Sequence, residues 1–347
     1  MRSIPAPTEA RGRAGARTDL AADLRRRIVG QEEAIETIVP YVELYQAGLA
    51  PEGRPVGVFL LLGPTGTGKT RTVEALAEAL HGSERNVLRI DCGEFQMEHE
   101  VAKLIGAPPG YLGHRETQPM INQHKLNAVA SERSALSLVL FDEIEKAASS
   151  LGRLLLGVLD KAALKLGDNT TVNFERSLIF MTSNLGAREM MAELAARFGF
   201  AAAEDGSASA GKLRRIGVSA VRKRFSPEFV NRVDRTLTYR PLDKAALEAI
   251  LDLQLEALER HLSSRLGPAS FGLELSPEAR VFLLEEGTSA EYGARELKRT
   301  IHRHLIQPLA RLVLDKRARP GCLLRVEPDS GGEMLSFTPR DQVPLAA

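Results

Sequence analysis

The octapeptide Gly63-Pro64-Thr65-Gly66-Thr67-Gly68-Lys69-Thr70 is the strongest indication of the fold of this chain. It follows an apolar run at 56–62, which predicts a buried strand, and it precedes a stretch with apolar residues at helical spacing. A glycine-rich loop in this context binds phosphate, because its backbone N–H groups wrap the anion and the helix N-terminus adds positive charge. We therefore expect residues 64–70 to bind ATP, with the Lys69 ammonium on the β- and γ-phosphates and the Thr70 hydroxyl on Mg²⁺.

Four further runs predict strands, at 87–91, 136–141, 178–182 and 236–239. Their apolar character is that of strands buried on both faces of a sheet. Because helical stretches separate them, the sequence predicts an α/β fold, with a parallel five-stranded sheet sandwiched between layers of helices.

Polar residues follow two of these strands and are candidates for the chemistry. Asp142 and Glu143 come directly after the apolar run at 138–141, and Asn184 follows the run at 178–182. Ligands of open α/β sheets bind at the carboxyl ends of the strands. We expect Asp142 to hold Mg²⁺ and Glu143 to polarise the attacking water as general base, with Asn184 positioning the water or contacting the γ-phosphate.

Composition excludes several classes of protein. The 347 residues are 44% hydrophobic and 26% charged, with a net charge of +1, which argues against a nucleic-acid partner or an anionic membrane. Two cysteines, Cys92 and Cys322, are too few for a disulfide scaffold. No apolar run approaches the ~20 residues of a membrane span, and no signal peptide opens the chain. We expect a cytoplasmic protein that does not enter a membrane.

The sequence predicts a division of the chain into four parts. Residues 1–19 are rich in arginine and small residues and predict a disordered tail. Residues 20–240 form the predicted ATPase domain. From 241 to 327, leucines at helical spacing and a proline at 308 predict a small, mostly α-helical C-terminal domain with a kinked last helix. Residues 328–347 are expected to contain a terminal hairpin and a tail.

Together these motifs resemble the AAA+ superfamily, and more narrowly the second ATPase module of the Clp unfoldase and disaggregase family (ClpB, ClpC and ClpA). The resemblance runs from about 27 to 325. Ile28-Val29-Gly30-Gln31 is similar to the family's adenine-contacting segment, which implies that Val29 and Gly30 line the base. The stretches 142–147 and 181–186 resemble the acidic motif and the first sensor, which contains Asn184.

Two arginines acquire roles from the same resemblance. Phe229-Val230-Asn231-Arg232-Val233-Asp234 is similar to the segment that presents an arginine finger, which assigns that role to Arg232. The stretch 292–299 resembles the second sensor, with Arg295 reaching the γ-phosphate. In the family the finger acts on the ATP of the neighbouring subunit, which implies a homo-oligomeric ring, most often a hexamer.

The resemblance also implies a polypeptide substrate. Gly106-Ala107-Pro108-Pro109-Gly110-Tyr111-Leu112-Gly113 resembles the family's pore loop, so Tyr111 and Leu112 are expected to grip a polypeptide in the central channel. Phe198-Gly199-Phe200 lies where some family members carry a loop that docks on a ClpP-like peptidase. Because the chain has no room for a first ATPase module, a single-ring form is expected.

The sequence also allows two other functions, a nucleic-acid motor or loader and a regulator that binds ATP without hydrolysing it. AAA+ rings also move or load nucleic acid, but the neutral charge and the Gly-Tyr-Leu-Gly sequence of the loop favour protein remodelling. A non-motor regulator would bind ATP without turnover, but the chain retains Glu143, Arg232 and Arg295. The favoured hypothesis is an ATP-dependent unfoldase, with delivery of substrates to a peptidase as its alternative.

Overall fold

The computed structural model describes residues 19–106, 119–198, 206–288, 293–329 and 331–340, with backbone alone at 195–198 and 206–209. Within these ranges, the helices before residue 240 are α1 (Leu20–Arg25), α2 (Glu32–Gln46), α3 (Lys69–His81), α4 (Val101–Ile105), α5 (Gln123–Ala128), α6 (Ser149–Lys161), α7 (Ala187–Phe198), α8 (Gly206–Arg224) and α9 (Pro227–Asn231). The strands are β1 (Gly57–Leu62), β2 (Leu88–Asp91), β3 (Ser137–Asp142), β4 (Ala163–Lys165), β5 (Thr171–Asn173), β6 (Ser177–Ser183) and β7 (Arg235–Thr238).

A five-stranded parallel sheet in the order β2-β3-β6-β1-β7 organises this part of the chain. Its strands coincide within about two residues with the runs predicted from the sequence, so the expected α/β fold is confirmed. In the register, Leu62 pairs with Ser183 and Phe141 pairs with Met181. The carboxyl ends of β1, β3 and β6 therefore meet at one edge, and the residues that follow each strand emerge side by side.

Both faces of the sheet are covered. Along β1, Val58, Leu60 and Leu62 face one apolar cluster, whereas Phe59 and Leu61 face another. All six residues of the strand are buried, which explains why its sequence is continuously apolar and does not alternate. On one face Phe59 stacks on Phe180, with ring centroids 5.2 Å apart. The result is a three-layer sandwich that holds the functional edge rigidly.

A second body follows residue 240. It comprises α10 (Lys244–Leu266), β8 (Gly272–Leu275), α11 (Pro277–Gly287), α12 (Ala294–Ile301), α13 (Gln307–Leu314), β9 (Leu323–Pro328) and β10 (Leu335–Arg340). A separate apolar cluster fills it, with contributions from the helices and from β9 and β10. The expected hairpin forms as the antiparallel pair β9-β10, and β8 adds to β9 as a parallel strand. We propose grouping both hairpin strands with the small domain, because they share its core.

The helix that contains Pro308 has an unusual turn instead of a simple kink. Between α12 and α13 the chain winds as a π-helix at His302–Ile306. Proline has no N–H to donate to the carbonyl four residues earlier, and a wider turn relieves that mismatch. The ring of His304 in this turn packs edge-on against Phe282 of α11, with centroids 5.2 Å apart. The helix axis thus adjusts locally while α12 and α13 stay in the same core.

Candidate active site

A cleft of about 830 Å³ lies between the carboxyl edge of the large sheet and the small domain. Its walls bring together most of the residues that the sequence predicts for ATP, from stretches far apart in the chain. The cleft-lining residues among them are Val29, Thr65, Gly66, Thr67, Gly68, Lys69, Thr70, Asp142, Glu143, Asn184 and Arg295. Pro64 lies at the start of the same loop, where its carbonyl accepts bonds from Thr67 and Lys69.

Glycines allow the phosphate loop to make its tight path. Gly63 has φ +144, and a Cβ there would lie 2.6 Å from the carbonyl oxygen of Tyr239. Gly68 has φ +100 and forms the N-cap of α3. The buried Thr67 hydroxyl donates to the Pro64 carbonyl at 2.9 Å, which closes the loop on itself. The free N–H groups at the start of α3 therefore face the cleft, as anion binding requires.

Lys69 is buried at the floor of the cleft and is held by acceptors. Its Nζ donates to the carbonyls of Gly63 and Pro64 at 2.6 and 2.8 Å, and to Oδ1 of Asn184 at 2.9 Å. Burial lowers the pKa of Lys69 to about 8, although the nearby carboxylates of Glu145 and Asp142 oppose that shift. A phosphate that enters the cleft would add a further negative charge beside the Lys69 ammonium and would oppose the same lowering of its pKa.

The acidic pair at the end of β3 is fixed by the neighbouring strand. The Thr182 hydroxyl of β6 donates to Oδ1 of Asp142 and accepts from the Glu143 backbone N–H at 2.9 Å. Glu143 has φ +56, a left-handed conformation that costs a residue with a side chain about 1–2 kcal/mol. The bond from Glu143 N–H to Thr182 helps hold this strained backbone, which turns the Glu143 side chain toward the cleft.

Two residues contact the Glu143 carboxylate. Asn184 Nδ2 lies 3.4 Å from Oε1, and Lys146 Nζ lies 2.5 Å from Oε2. Asn184 also contacts Lys69, so a single amide joins the phosphate-binding lysine to the candidate general base. The Glu143 carboxylate and the Asn184 amide thus lie side by side in the cleft, where both could bond to one water.

The oxygen groups in the cleft fit Mg²⁺. The Thr70 hydroxyl and the Asp142 carboxylate line the same cleft, and hard oxygen ligands are those that Mg²⁺ takes. Among the described residues no group of three or more His, Cys, Asp or Glu side chains is arranged as a metal cage. Proteins commonly bind Mg²⁺ through one or two side-chain oxygens together with the phosphates of a bound nucleotide. The hydroxyl of Thr70 and the carboxylate of Asp142 fit such a site.

The part of the cleft that is predicted to bind the adenine is more apolar than the sequence motif alone indicates. Val29 lines the cleft with Ile28, and α10 supplies Ile250, Leu253 and Ala257 opposite. Gly30 does not line the cleft; it lines a separate cavity with residues 237–240 and packs near Leu242 and Ala246 of the small domain. The sequence did not single out these three α10 residues, because apolar residues at helical spacing are equally typical of a helix that packs in a core.

The small domain contacts the phosphate loop directly. The backbone N–H of Ala294, at the start of α12, donates to the Gly66 carbonyl at 3.2 Å. The preceding Gly293 has φ +50, and a Cβ there would lie 3.0 Å from the same carbonyl oxygen. Arg295 follows on the first turn of α12 and is exposed at the cleft. Its guanidinium is thus carried by the small domain over a loop of the large one.

Arg232 is placed elsewhere. It is the C-cap of α9, does not line the cleft of its own chain, and forms an ion pair with Asp160 of α6 at 3.0 Å. About a third of its side chain is exposed. Its own chain therefore gives Arg232 no nucleotide to act on.

Two contacts around the acidic loop were not predicted. Glu145 Oε1 accepts from the Asn184 backbone N–H at 3.0 Å, while its Oε2 is buried without a partner. Arg224, at the end of α8, donates to the backbone carbonyls of Glu145 and Ala147 at 2.8 and 2.9 Å. Only the three-dimensional arrangement reveals these bonds, because an arginine at a helix end gives no sequence signal for a distant carbonyl.

The predicted pore-loop residues Tyr111 and Leu112 lie outside the described residues, as do Gly199 and Phe200 and the side chain of Phe198. Within the ranges that are described, no helix is both long and apolar enough to cross a membrane.

Comparisons with known proteins agree with this geometry. Residues 54–236 match the family model described as AAA domain (Cdc48 subfamily), and residues 242–326 match the C-terminal, D2-small domain of ClpB protein. The chaperone protein ClpB of Meiothermus ruber is 39% identical over 321 residues, which are 92% of this chain and 35% of that protein. ClpB of Rhizobium meliloti is 39% identical over 315 residues, or 91% and 34% of the two chains.

Solved structures of Hsp104 are also similar to this chain. A closed-state structure of Hsp104 with ATPγS and FITC casein superposes with a TM-score of 0.76 at 28% identity, covering 92% of this chain and 51% of that one. An extended S. cerevisiae Hsp104:casein complex superposes with a TM-score of 0.77 at 29% identity and the same coverage. The chain thus spans about a third of the ClpB proteins and half of the Hsp104 chains.

Proposed function

Because this chain belongs to the AAA domain family of ATPases, we propose that it hydrolyses ATP to unfold or remodel other proteins. Its similarity to the second module of ClpB, a chaperone, supports the protein-remodelling part of the proposal. The observation that carries the ATPase part is the convergence of Lys69, Asp142, Glu143 and Asn184 in one cleft.

In the proposed reaction the chain's own residues divide the work. The loop at 63–70 holds the phosphates, while Val29 and the apolar residues of α10 hold the base. Thr70 and Asp142 would hold Mg²⁺, which would supply positive charge against the phosphates. Glu143 accepts the proton of the attacking water and Asn184 orients that water. Arg295 stabilises the negative charge that develops on the γ-phosphate oxygens.

The position of Arg232 supports a ring. An arginine that does not line its own cleft can complete the cleft of a second copy, as the family resemblance implies for its arginine finger. We therefore propose a homo-oligomeric ring, hexameric by that resemblance, with ATP bound between protomers. Tyr111 and Leu112 are proposed to grip a polypeptide in the channel of this ring.

A substrate trap tests the proposed function. The variant Glu143→Gln has a side chain of the same size and leaves the phosphate loop unchanged, but it lacks the proposed general base. It should therefore bind ATP without hydrolysing it. With ATP and Mg²⁺ it should retain fluorescein-labelled casein on a sizing column, and it should release the casein with ADP. The double variant Glu143→Gln/Tyr111→Ala should bind ATP equally but fail to retain casein.

Three results would contradict the proposal. One is casein retention that does not depend on ATP, and another is equal retention by the Tyr111→Ala double variant. The third is wild-type ATP turnover that DNA stimulates and casein does not, which would favour a nucleic-acid motor.

A further inference from the structure

A buried side-chain amide, that of Gln31, joins the phosphate loop to the segment that leads into the small domain. Gln31 is only 6% exposed. Its Nε2 donates to the Thr67 carbonyl at 3.1 Å and to the Arg240 carbonyl at 2.9 Å, and its Oε1 accepts from the Arg240 N–H at 3.3 Å. These bonds bridge 36 and 209 positions of sequence.

The bond to Thr67 fixes the orientation of one peptide group in the loop. The carbonyl of Thr67 and the N–H of Gly68 belong to the same planar trans peptide, so they point in opposite directions. Gln31 lines a separate cavity with residues 237–240 and is not among the residues that line the cleft, whereas Gly68 lines the cleft. By holding the Thr67 carbonyl from outside the cleft, it directs the Gly68 N–H into the cleft, where phosphates would bind.

The other two bonds reach the hinge between the domains. Arg240 follows the last strand of the large sheet and precedes Pro241, Leu242 and α10 of the small domain. The residue before it, Tyr239, is fixed to the large domain, since its N–H donates to the Leu62 carbonyl at 2.7 Å and its hydroxyl to Thr72 at 2.8 Å. Arg240 is therefore the first residue past this anchor, and Gln31 holds both of its backbone polar groups.

An amide is needed for this set of bonds. Two of the three use Gln31 as donor and one uses it as acceptor, and among side chains of this length only glutamine offers both from one planar group. Glutamate has the same shape but donates nothing when ionised. A glutamate at position 31 would place a carboxylate against the carbonyl oxygens of Thr67 and Arg240.

We propose that Gln31 is a positioning residue that couples the phosphate loop to the hinge, so that its amide links nucleotide binding to the position of the small domain, in addition to the direct contact of Ala294 with the loop. When a phosphate binds the Gly68 N–H, the Thr67 carbonyl is held in the orientation that favours its bond to Gln31. The Gln31 amide then stays in place on Arg240. The inference rests on nucleotide binding by this cleft and not on the threading of polypeptides.

The test compares Gln31→Glu with Gln46→Glu in the full chain. Gln46 is exposed at the other end of the same helix, so its variant adds the same charge without touching the loop. Two quantities are measured: the Kd for a fluorescent ADP analogue with Mg²⁺, and the amide hydrogen exchange of Arg240 with and without saturating ADP.

We expect Gln31→Glu to raise the Kd roughly tenfold, as the loss of buried donor bonds does. We also expect saturating ADP to protect the Arg240 amide in wild type and in Gln46→Glu, but not in Gln31→Glu. A side chain that only stabilised the fold would raise exchange with and without ADP alike, whereas coupling removes the dependence on ADP.

Gln31→Met repeats the experiment without burying a charge, in case the carboxylate unfolds the domain. It has a similar length, makes none of the three bonds, and is expected to behave like Gln31→Glu. The proposal is wrong if a folded Gln31 variant binds ADP with a Kd within twofold of wild type, or if ADP still protects its Arg240 amide. Neither result would bear on casein retention, so this failure is distinct from a failure of the proposed function.

Discussion

The nucleotide cleft and the surface around Arg232 differ in how complete they are on a single chain. In the cleft, Lys69, Glu143 and Asn184 are already bonded to one another or to fixed neighbours. Arg232 is also held, but by Asp160, and it does not line the cleft. One chain thus brings the predicted nucleotide-binding residues together, and the arginine proposed to accelerate hydrolysis is proposed to act on another chain. Binding and hydrolysis should therefore respond differently to mutations in the two regions.

The largest effect is expected at Arg232. Arg232→Ala should lower the ATPase kcat by ~10³-fold or more, because an arginine finger contributes that much in related phosphoryl transfer. The Kd for ADP should stay within twofold of wild type, since the residue does not line its own cleft. Arg235→Ala, which removes an exposed arginine three positions away, is the control and should keep its activity. A large loss of nucleotide affinity in Arg232→Ala would contradict the contrast between the two regions.

Glu143→Gln tests the chemistry inside the cleft. Removal of a general base costs ~10²–10⁴-fold in rate, so turnover should fall by that amount while ATP still binds. Lys146→Gln is the matched control, because it removes the ion pair with Glu143 and leaves the carboxylate in place. Steady-state phosphate release and nucleotide titration check both variants. If Glu143→Gln turned over ATP at more than a tenth of the wild-type rate, a different residue would have to be the base.

A titration of affinity against pH tests the burial of Lys69. Its pKa is lowered to about 8, so the ammonium that binds phosphate is lost as the pH rises through that value. The Kd for ADP should rise by roughly tenfold between about pH 7.5 and pH 9. Lys69 should not lower the free energy of unfolding over the same range. Between about pH 8 and 10.5 its amine is protonated in the unfolded chain and neutral in the folded chain, so a rise in pH favours the folded chain.

The control for that titration is Lys69→Arg. Its guanidinium stays charged throughout, so its weaker affinity should change much less with pH. Equal pH dependence in the two proteins would mean that a group other than Lys69 titrates.

The smallest effect is expected where the small domain touches the phosphate loop. Gly293→Ala should weaken ADP binding by roughly three- to tenfold, because a Cβ 3.0 Å from the Gly66 carbonyl displaces α12 and the bond from Ala294. Gly267→Ala is a close control, since Gly267 has a similar φ of +53 but nothing within 4 Å of its Cβ position. Both variants should lose about 1–3 kcal/mol of stability, measured by denaturant unfolding, because both glycines combine a positive φ with ψ of about −130, which residues with a side chain rarely adopt. Equal ADP affinity in the two would show that the contact with the loop does not matter.

The sequence predicts the large sheet and the phosphate loop well because their signals are local. β1 is apolar throughout and buried throughout, and the octapeptide after it admits few other structures. Local signals also predict the caps of helices, as at Ser276, whose hydroxyl accepts from the Ala279 N–H at the start of α11.

Other features depend on residues that only the fold brings together. The bonds from Gln31 to Arg240 span 209 positions, and the placement of Glu145 beside Asn184 spans 39. The strand β8 was not predicted, because its pairing with β9, 51 positions away, is what makes it a strand. The roles of Arg232, Arg295, Tyr111 and Leu112 stay predictions, and the variants of Arg232 and Tyr111 test two of them.

We propose that each active site combines a cleft from one chain with Arg232 from another. Mixing two inactive variants tests it most directly: Lys69→Ala cannot hold phosphate but carries Arg232, whereas Arg232→Ala binds nucleotide but carries no finger. Their equal mixture should recover about a quarter of the wild-type ATPase rate, since half of the sites bind ATP and half of those face an intact Arg232. A mixture no more active than the average of the two separate variants would contradict the account.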